Sequence, residues 1–222
     1  EKSKARMIVI DPRYTDTVIN NDAEWLPIKP TTDAALVAGI VHTLIAENLI
    51  DEEMINRYSV GFNADSLPES APVNASYTDY ILGNGDDKTA KTPEWAAKIT
   101  GISAVRIRQL AREIASAKAC FISQGWGPQR HATGELTSRA ILMLPVLTGH
   151  FGRPGTNTGG WCYGAYYGVP KLPVGTNPST HATPCYLWTD AIANPEKMTD
   201  RTTGIQNGEK LNVGIKVRLK EA

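Results

Sequence analysis

Cysteine is scarce in this chain: its 222 residues include three, at positions 120, 162 and 185. They lie too far apart to form a CxxC pair or the closely spaced ligand set of an iron–sulfur cluster. Histidine is also rare, with four copies, at positions 42, 131, 150 and 181. None of them shows the HxxxH or HExxH spacing of a zinc site. We therefore predict no metal site within this chain.

Long apolar runs are absent as well. The longest, AALVAGIV at residues 34–41, falls far short of the roughly 20 apolar residues that span a bilayer. The N-terminal sequence EKSKARMIVI starts with basic residues but lacks the apolar segment and the cleavage site of a secretory signal. We expect no membrane span here, and we expect any targeting signal to lie outside this chain.

Charge of one sign does not dominate either. The 23 basic and 23 acidic residues cancel, and like charges do not gather in long runs. Binding to nucleic acid or to an anionic membrane surface would require a basic patch, which this pattern lacks. Nucleic acid is therefore excluded as an expected partner.

The first 50 residues predict a strand, a loop, a second extended segment and a helix. MIVI at residues 7–10 is a short β-branched run that ends at an Asp-Pro pair, where proline prevents further strand or helix. WLPIKP at residues 25–30 is a second extended segment. Apolar residues then recur at helical spacing, with a threonine or an aspartate as N-cap. This order favours an α/β domain.

Further elements are predicted after residue 50. The predicted helices are DEEMINRYS (51–59), TPEWAAKITG (92–101), SAVRIRQLAREIASAK (103–118) and GELTSRAILMLPVLTG (134–149). The apolar side of the third of these helices is formed by Val105, Ile107, Leu110, Ala111, Ile114 and Ala115. ACFISQ (119–124) predicts another strand. Residues 61–91, which are rich in Gly, Asn, Asp, Ser and Pro, predict a long surface excursion.

These elements predict an α/β fold, a layered sheet with flanking helices, over residues 1–150. From residue 151 to residue 222 glycine and proline are frequent and no helical period is found, so we expect an irregular, turn-rich arm. Ordering an arm of that length costs much conformational entropy. We therefore expect it to pack on domains that this chain lacks.

The loop GWGPQRHATGE follows a predicted strand and precedes a predicted helix, at the edge of an α/β sheet where ligands gather. Gly125 and Gly127 allow close approach of the backbone to a ligand, and Trp126 offers a flat apolar face. Gln129, Arg130 and the histidine after them add directional donors, and arginine suits phosphate oxygens. Two interpretations remain open: a site for a nucleotide-like ligand, or a Gly-Trp turn that packs on the core.

Two aspartates carry the same ambiguity. Asp11, at the end of the first strand, either accepts hydrogen bonds from ribose hydroxyls or caps a turn. Asp33, in the first turn of a helix, either complements the helix dipole or accepts two N–H donors from a guanine edge. The stretch GRPGTNTGG, which contains Arg153, matches neither the GxxxxGKS/T loop nor the GxGxxG fingerprint of nucleotide-binding proteins.

Four stretches occur in this order along the chain: VIDPRYTDT, WLPIKPTTDAAL, GWGPQRHATGE and LTGHFGRPGTNTGG. Together they resemble the catalytic subunits of dimethyl sulfoxide reductase type, and their selenate-reductase-like paralogues, in the molybdopterin oxidoreductase family. The similarity continues through YLWTDAI to about Lys216 and covers nearly the whole chain. Each motif is weak by itself, whereas the ordered set is specific.

The resemblance implies that the parent enzyme holds molybdenum in a bis(molybdopterin guanine dinucleotide) cofactor. Strand-end loops of an α/β layer would bind part of this cofactor. Asp11, Pro12 and Arg13 would line a guanosine ribose. Thr32 and Asp33 would read the guanine base.

The same resemblance assigns the Gly-Trp loop to the pterin and its phosphates. The residues concerned are Gly125, Trp126, Gly127, Gln129 and Arg130. The stretch that contains Arg153 would pass close to the cofactor. No catalytic residue and no metal ligand is assigned to this chain, because the serine ligand of molybdenum and the cysteines of a [4Fe–4S] cluster would lie outside it.

By this resemblance the parent protein is a molybdopterin-dependent oxidoreductase that reduces a small S-, N- or Se-oxide in anaerobic respiration. The implied partners are the rest of the catalytic subunit, an iron–sulfur electron-transfer subunit and a membrane anchor, with a periplasmic or membrane-associated location. We expect the chain to be an internal piece that contributes cofactor binding and is inactive alone. Two alternatives are a generic nucleotide-binding α/β module and a truncated, non-functional product.

Overall fold

The computed structural model describes residues 5–157 and 188–194. The chain divides into two compact units, residues 1–164 and 165–222. The elements of the first unit are β1 (Ile8–Ile10), α1 (Asp16–Ile19), β2 (Glu24–Leu26), α2 (Asp33–Ala46), α3 (Glu52–Tyr58), α4 (Tyr77–Leu82), α5 (Pro93–Thr100), α6 (Ala104–Ser116) and α7 (Gly134–Leu147). The second unit contributes α8 (Trp188–Ala193). Most of the predicted arm lies outside the described residues.

β1 and β2 form a two-stranded parallel sheet in which Ile8 lies opposite Glu24. Hydrogen bonds at both ends extend the pairing. The Glu24 N–H donates to the Met7 carbonyl at 3.0 Å, and the Asp11 N–H donates to the Leu26 carbonyl at 3.4 Å. The predicted strand and second extended segment are confirmed, and the predicted loop between them contains the short helix α1.

The strand predicted at residues 119–124 stays a prediction: no strand is assigned over residues 119–123, and Gln124 is a β-bridge residue. The side chain of Asn157 instead bonds both backbone groups of Ile122. A strand exists only when it pairs with a neighbour, and the described sheet contains β1 and β2. The first unit is therefore helix-rich with a small sheet. This agrees with an α/β fold without showing a layered sheet.

α2 is the central helix and packs against α5, α6 and α7. Its buried residues are Leu36, Val37, Ala38, Gly39, Ile40, Val41, Thr43 and Leu44. Gly39 permits the close approach of α5, because a Cβ at this position would lie 2.7 Å from the Cβ of Ala96. A helix that is apolar on nearly every side is stable only when other elements surround it. The helix predicted in this region is confirmed.

α5 and α6 follow the predicted start and stop signals. Thr92 caps the N-terminus of α5, Pro93 is its first residue, and Gly101 ends it at a φ of 83°, in the left-handed region. One position predicted on the apolar side of α6 is wrong, since Val105 is 74% exposed. It precedes Ile107 by two residues and so lies about 200° around the helix from that buried side chain.

The surface excursion predicted over residues 61–91 is partly wrong. The segment contains α4, and both Phe62 and Ile81 are buried in the core. Lys91 is also buried, and its ammonium group forms an ion pair with Asp87. Single apolar residues anchor this segment without a regular period, so periodicity does not reveal that it packs on the core.

Among the described residues, no helix combines the length and the apolar character that a membrane span requires. Within the same residues no group of three or more His, Cys, Asp or Glu side chains is arranged to hold a metal ion. Cys120 is a half-buried free thiol, and burial raises its pKa. A raised pKa favours the protonated, poorly nucleophilic form at neutral pH.

Candidate functional site

Three loops that are far apart in sequence meet around one cavity of about 510 Å³. Asp11 and Pro12 come from the end of β1, Asp33 from the first turn of α2, and Gly125 and Gly127 from the loop before α7. We call the part lined by these loops the loop side. Further residues of the loop side are Pro30, Thr31, Gln124 and Pro128. The rest, which we call the core side, is lined by apolar side chains of β1, α2, α6 and α7, by Arg6 and by residues 120–123.

Asp11 stabilises the turn that follows β1. Its Oδ1 accepts a hydrogen bond from the Arg13 N–H at 2.8 Å, and its carbonyl accepts one from Trp25 Nε1 at 2.9 Å. Tyr14 packs edge-on against the same tryptophan, with ring centroids 5.2 Å apart. The aspartate thus caps a turn in this structure. Ribose binding by Asp11 stays a prediction.

Asp33 places a half-buried carboxyl group at the loop side. Burial raises its pKa, while the backbone N–H of Asp33 and the nearby His131 oppose this shift. A carboxylate in such surroundings costs free energy unless hydrogen-bond donors meet it. Thr32 precedes it, but the Thr32 hydroxyl donates to the Lys29 carbonyl at 2.7 Å and makes no cap bond to α2. Asp33 is therefore the polar group that α2 presents to the cavity.

The loop before α7 presents an aromatic ring and two glycines with open space beside them. Trp126 is 47% exposed, and the guanidinium carbon of Arg130 lies 4.4 Å from the centroid of its ring, a cation–π contact. A Cβ added at Gly125 or Gly127 would meet no atom within 4 Å. Packing inside the described part of the chain does not require glycine at these positions. A ligand that approaches the backbone closely would require it.

Backbone geometry at two threonines is unusual. Thr31, at a φ of 64°, lines the cavity, and Thr133, at a φ of 58°, lies in the loop before α7. β-Branched residues rarely adopt this left-handed conformation. Gly134 follows, and a Cβ there would lie 2.3 Å from the carbonyl oxygen of Gln129, so the loop closes only around a glycine. Strained conformations of this kind cluster where a loop is held in shape for a ligand.

His131 is a functional candidate that the resemblance does not assign. Its Nδ1 lies 2.9 Å from the Ala132 carbonyl, and its Nε2 is buried without a hydrogen-bond partner among residues 5–157 and 188–194. Buried polar atoms nearly always have a partner, so an orphan needs an explanation such as a ligand. The signal in the sequence was its position directly after Arg130 in the Gly-Trp loop.

Arg153 is not among the residues that line the cavity. Its guanidinium donates to Nδ1 of His150 at 3.2 Å, and Nε2 of His150 consequently carries the proton and donates to the Ile114 carbonyl at 2.9 Å. His150 is buried, so it holds the turn that contains Arg153 against the end of α6. Arg153 therefore belongs to a fourth loop beside the other three.

The structure brings five of the predicted site residues together around one cavity: Asp11, Pro12, Asp33, Gly125 and Gly127. The predicted residues that belong to the same three loops without lining the cavity are Arg13, Thr32, Trp126, Gln129 and Arg130. The site therefore combines two carboxylates and open backbone at two glycines, and the same loops carry Arg13 and Arg130 outside the cavity lining. This combination suits a ligand with hydrogen-bond donors at one end and phosphates at the other.

Comparison with known proteins decides the family. The family model described as molybdopterin oxidoreductase matches residues 1–210. The chain belongs to the molybdopterin oxidoreductase family. The resemblance carried by the four ordered motifs is thereby confirmed.

Several relatives are more than half identical to the chain. The putative dimethyl sulfoxide reductase chain YnfE of Escherichia coli K12 is 55% identical over 216 residues, which are 97% of this chain and 27% of the relative. Dimethyl sulfoxide reductase DmsA of Haemophilus influenzae is 53% identical over 218 residues, again 97% of this chain and 27% of the relative. The chain thus spans about a quarter of the length of these relatives.

More distant similarity extends to other members. Trimethylamine-N-oxide reductase of Haemophilus influenzae is 36% identical over 187 residues, 83% of this chain and 21% of that protein. Among solved structures, acetylene hydratase from Pelobacter acetylenicus matches with a TM-score of 0.52 and 26% identity. That match covers 68% of this chain and 18% of the hydratase chain. About two thirds of this chain therefore shares its fold with a protein whose printed name is a hydratase.

Proposed function

We propose that this chain is part of the catalytic subunit of a molybdenum oxidoreductase that reduces a small S-, N- or Se-oxide, of the dimethyl sulfoxide type, in anaerobic respiration. Its own contribution is to bind one guanine end of a bis(molybdopterin guanine dinucleotide) cofactor at the loop side of the cavity. The observation that supports this most is the meeting of Asp11, Asp33 and Gly125 around one cavity, although they come from three distant segments. The names of the relatives agree with the reaction class.

Asp33 would recognise the guanine base. A carboxylate can accept hydrogen bonds from two N–H groups on one edge of guanine, and no other common base offers two donors in that arrangement. Partial burial raises the pKa of Asp33, so the ionised group lacks full solvation before ligand binds. Donors from the base would supply the missing partners and favour the ionised form.

The remaining loop residues would hold the sugar and the phosphates. Asp11 would accept from a ribose hydroxyl beside its turn, with Pro12 shaping the loop. Arg13, Arg130 and Arg153 supply positive charge from three different loops, which suits a pyrophosphate. The open backbone at Gly125 and Gly127 would let the phosphates or the pterin approach closely. Thr32, Trp126 and Gln129 would also contact the cofactor.

The chemistry itself lies outside these residues. When bound, the molybdenum centre would supply the two-electron reduction of the oxide. The residues of this chain would bind the cofactor, orient it and exclude water from the guanine end. The serine ligand of molybdenum and the ligands of a [4Fe–4S] cluster would come from other parts of the subunit. The 222-residue chain alone would be inactive, because it offers only part of the cofactor's contacts and each lost 1.4 kcal/mol weakens binding about tenfold.

The same proposal covers the setting of the enzyme. The α/β layer would gain further strands from the rest of the subunit and become a layered sheet. The predicted turn-rich arm would wrap neighbouring domains of the subunit. An iron–sulfur subunit would deliver electrons, and a membrane anchor would hold the complex at the periplasmic side of the membrane.

The test compares the whole catalytic subunit with its Asp33→Asn variant. The measured quantities are guanine nucleotide released after acid denaturation, molybdenum per protein and dimethyl sulfoxide reduction. We expect Asp33→Asn to lower all three at least tenfold, about 1.4 kcal/mol in binding. The matched control is Glu53→Gln, an exposed carboxylate in the first turn of α3, which should leave all three unchanged. Full guanine content in Asp33→Asn would refute the assignment.

A titration separates the proposal from a generic nucleotide-binding module. The cofactor-free subunit would be titrated with GDP, ADP and NAD. We expect measurable binding of GDP and at least tenfold weaker binding of the other two, because adenine lacks the two donors that Asp33 would meet. Equal affinities would favour the generic module. Binding of none of the three would favour a truncated, non-functional product.

A further inference from the structure

The loop before α7 carries a histidine to which the proposed function gives no role. Nδ1 of His131 lies 2.9 Å from the Ala132 carbonyl. A carbonyl oxygen only accepts hydrogen bonds, so Nδ1 carries the ring proton and Nε2 of the neutral ring is an acceptor. Nε2 is buried, and the described part of the chain gives it no hydrogen-bond partner. A buried acceptor of this kind calls for a donor from a ligand.

Local bonds hold this ring in one direction. The Ala132 carbonyl also accepts from the Thr133 hydroxyl at 2.6 Å, and the Gly134 N–H donates to the His131 carbonyl at 3.0 Å. Gly134 packs so closely on the Gln129 carbonyl that a Cβ would lie 2.3 Å from its oxygen. The turn therefore fixes Nε2 before any ligand binds. Such preorganisation is what a residue that reads a ligand requires.

His131 lies close to Asp33. Asp33, Gly127 and Pro128 line the same cavity, and Pro128 precedes His131 by three residues. The two side chains are also within electrostatic range, since the charge that His131 gains in acid opposes the rise in the pKa of Asp33 that burial causes. Nε2 makes no hydrogen bond to the Asp33 carboxylate, as expected for two acceptors. A ligand that presents several donors would satisfy both groups.

Guanine has one more donor than the proposed contact with Asp33 uses. Its edge presents the N1–H and both hydrogens of the 2-amino group. Asp33 would accept from N1–H and from the first amino hydrogen, which leaves the second amino hydrogen without an acceptor. An unpaired donor inside a protein site costs free energy. The pyrophosphate of the cofactor carries only acceptor oxygens and does not suit a nitrogen that lacks a proton.

We infer that His131 is a specificity-determining residue, whose buried Nε2 accepts the second hydrogen of the guanine 2-amino group while Asp33 accepts the first hydrogen together with N1–H. The inference rests on the proposed function, because it requires a guanine base at the loop side of the cavity. It adds a second reader of the base from a different loop. The arrangement selects guanine against hypoxanthine as well as against adenine, since neither of those bases has a 2-amino group.

Titration of the whole, cofactor-free catalytic subunit tests the contact from the side of the ligand. The probes are GDP, IDP, whose hypoxanthine base lacks the 2-amino group, and N2-methyl-GDP, in which a methyl group replaces one amino hydrogen. We expect N2-methyl-GDP to bind roughly tenfold more weakly than GDP, because Asp33 keeps its amino hydrogen and His131 loses the other. Equal binding of GDP and N2-methyl-GDP would overturn the inference, since the second hydrogen would then point to solvent.

Two variants of His131 test the contact from the side of the protein. His131→Asn keeps a donor near the position of Nδ1 and lacks the acceptor at Nε2, whereas His131→Gln places an amide oxygen near the position of Nε2. We expect His131→Asn to bind GDP roughly tenfold more weakly and to change IDP binding by less than about twofold. His131→Gln should keep most of the preference for GDP over IDP. The control is His42→Asn, on α2 outside the cavity lining, which should leave that preference unchanged.

The outcomes separate this inference from the proposed function. Loss of GDP and IDP affinity by the same factor in His131→Asn would overturn the inference, because the ring would then support the loop without reading the amino group. So would a loss that disappears with 2′-deoxy-GDP, which would assign Nε2 to a ribose hydroxyl. If His131→Asn does not fold, the comparison of GDP with N2-methyl-GDP in the wild type decides. Failure of GDP to bind the wild type would refute the proposed function and the inference together, whereas a retained preference for GDP over ADP would leave the proposed function standing.

Discussion

The side-chain amide of Asn157 bonds both backbone groups of Ile122: the Ile122 N–H donates to Oδ1 at 2.8 Å, and Nδ2 donates to the Ile122 carbonyl at 2.6 Å. The asparagine is completely buried. Its own backbone continues the connection, since its N–H donates to the His150 carbonyl and its carbonyl accepts from the Gly152 N–H. One residue thereby joins the turn that contains Arg153 to the segment that leads into the Gly-Trp loop.

Replacing Asn157 by alanine is expected to loosen both loops. Two partly buried backbone groups of Ile122 would lose their partners, at a cost of about 1 to 3 kcal/mol. Hydrogen exchange of peptides that cover residues 119–126 should become faster in the whole subunit. Asn21→Ala removes a single bond to the Thr17 carbonyl at an exposed site and should change stability by less than about 0.5 kcal/mol. Equal effects of the two variants would contradict the role given to Asn157.

Two glycines of the loop before α7 should respond in opposite ways to alanine. Gly134→Ala places a Cβ 2.3 Å from the carbonyl oxygen of Gln129, which should destabilise the fold by about 1 to 3 kcal/mol. Gly125→Ala meets no atom within 4 Å and should leave the thermal midpoint of the cofactor-free subunit unchanged. We expect it to reduce the molybdenum and guanine content of the loaded enzyme, because the added methyl group would occupy the space of the ligand. Normal cofactor content in Gly125→Ala would show that no ligand approaches this backbone.

Asp33→Asn should stabilise the cofactor-free subunit at neutral pH. Burial raises the pKa of Asp33 above its ordinary value of 3.8, so the folded state holds the proton more tightly than the unfolded state. Tighter proton binding by the folded wild type adds to its free energy of unfolding, and this addition is complete below pH 3.8. It is lost as pH rises through the higher pKa of the folded state. Thermal unfolding at pH 4 and pH 7 checks this: the gain in Tm from Asp33→Asn should be larger at pH 7. A variant that is less stable than wild type at pH 7 would contradict the proposed cost of this carboxylate.

The ion pair between Glu24 and Arg106 should have the opposite pH dependence. Arg106 Nε donates to Glu24 at 2.7 Å, and this bond holds the pKa of the Glu24 carboxyl below its ordinary value of 4.5. The contribution to stability is present above pH 4.5 and is lost as pH falls through the lower folded-state pKa. Arg106→Met should lower Tm at pH 7 and should have a smaller effect in acid. Arg57→Met, at an exposed site on α3, serves as the control.

The sequence predicted those parts of the fold whose signals are local. Thr92, Pro93 and Gly101 mark the ends of α5, and each acts within its own helix turn. The prediction of a strand at 119–124 used equally local signals and stays a prediction, because strand formation depends on a neighbour that local signals do not reveal. The burial of Lys91 could not be predicted from local signals either. Nothing in its polar stretch indicates that its Nζ lies 4.5 Å from the centroid of the Tyr80 ring in the interior.

For the candidate site too, the sequence predicted one part and only the tertiary structure showed the other. From its sequence alone the chain could be assigned to the molybdopterin oxidoreductases, because the motifs, their order and their residue types can be read without coordinates. Only the tertiary structure showed that Asp11, Asp33 and Gly125 line one cavity, and that His131 leaves a buried nitrogen without a partner in the described part of the chain. The physical reason is that helix ends and turns are set by neighbours along the chain, whereas cavities, burial and strand pairing arise from segments that meet only when the chain folds.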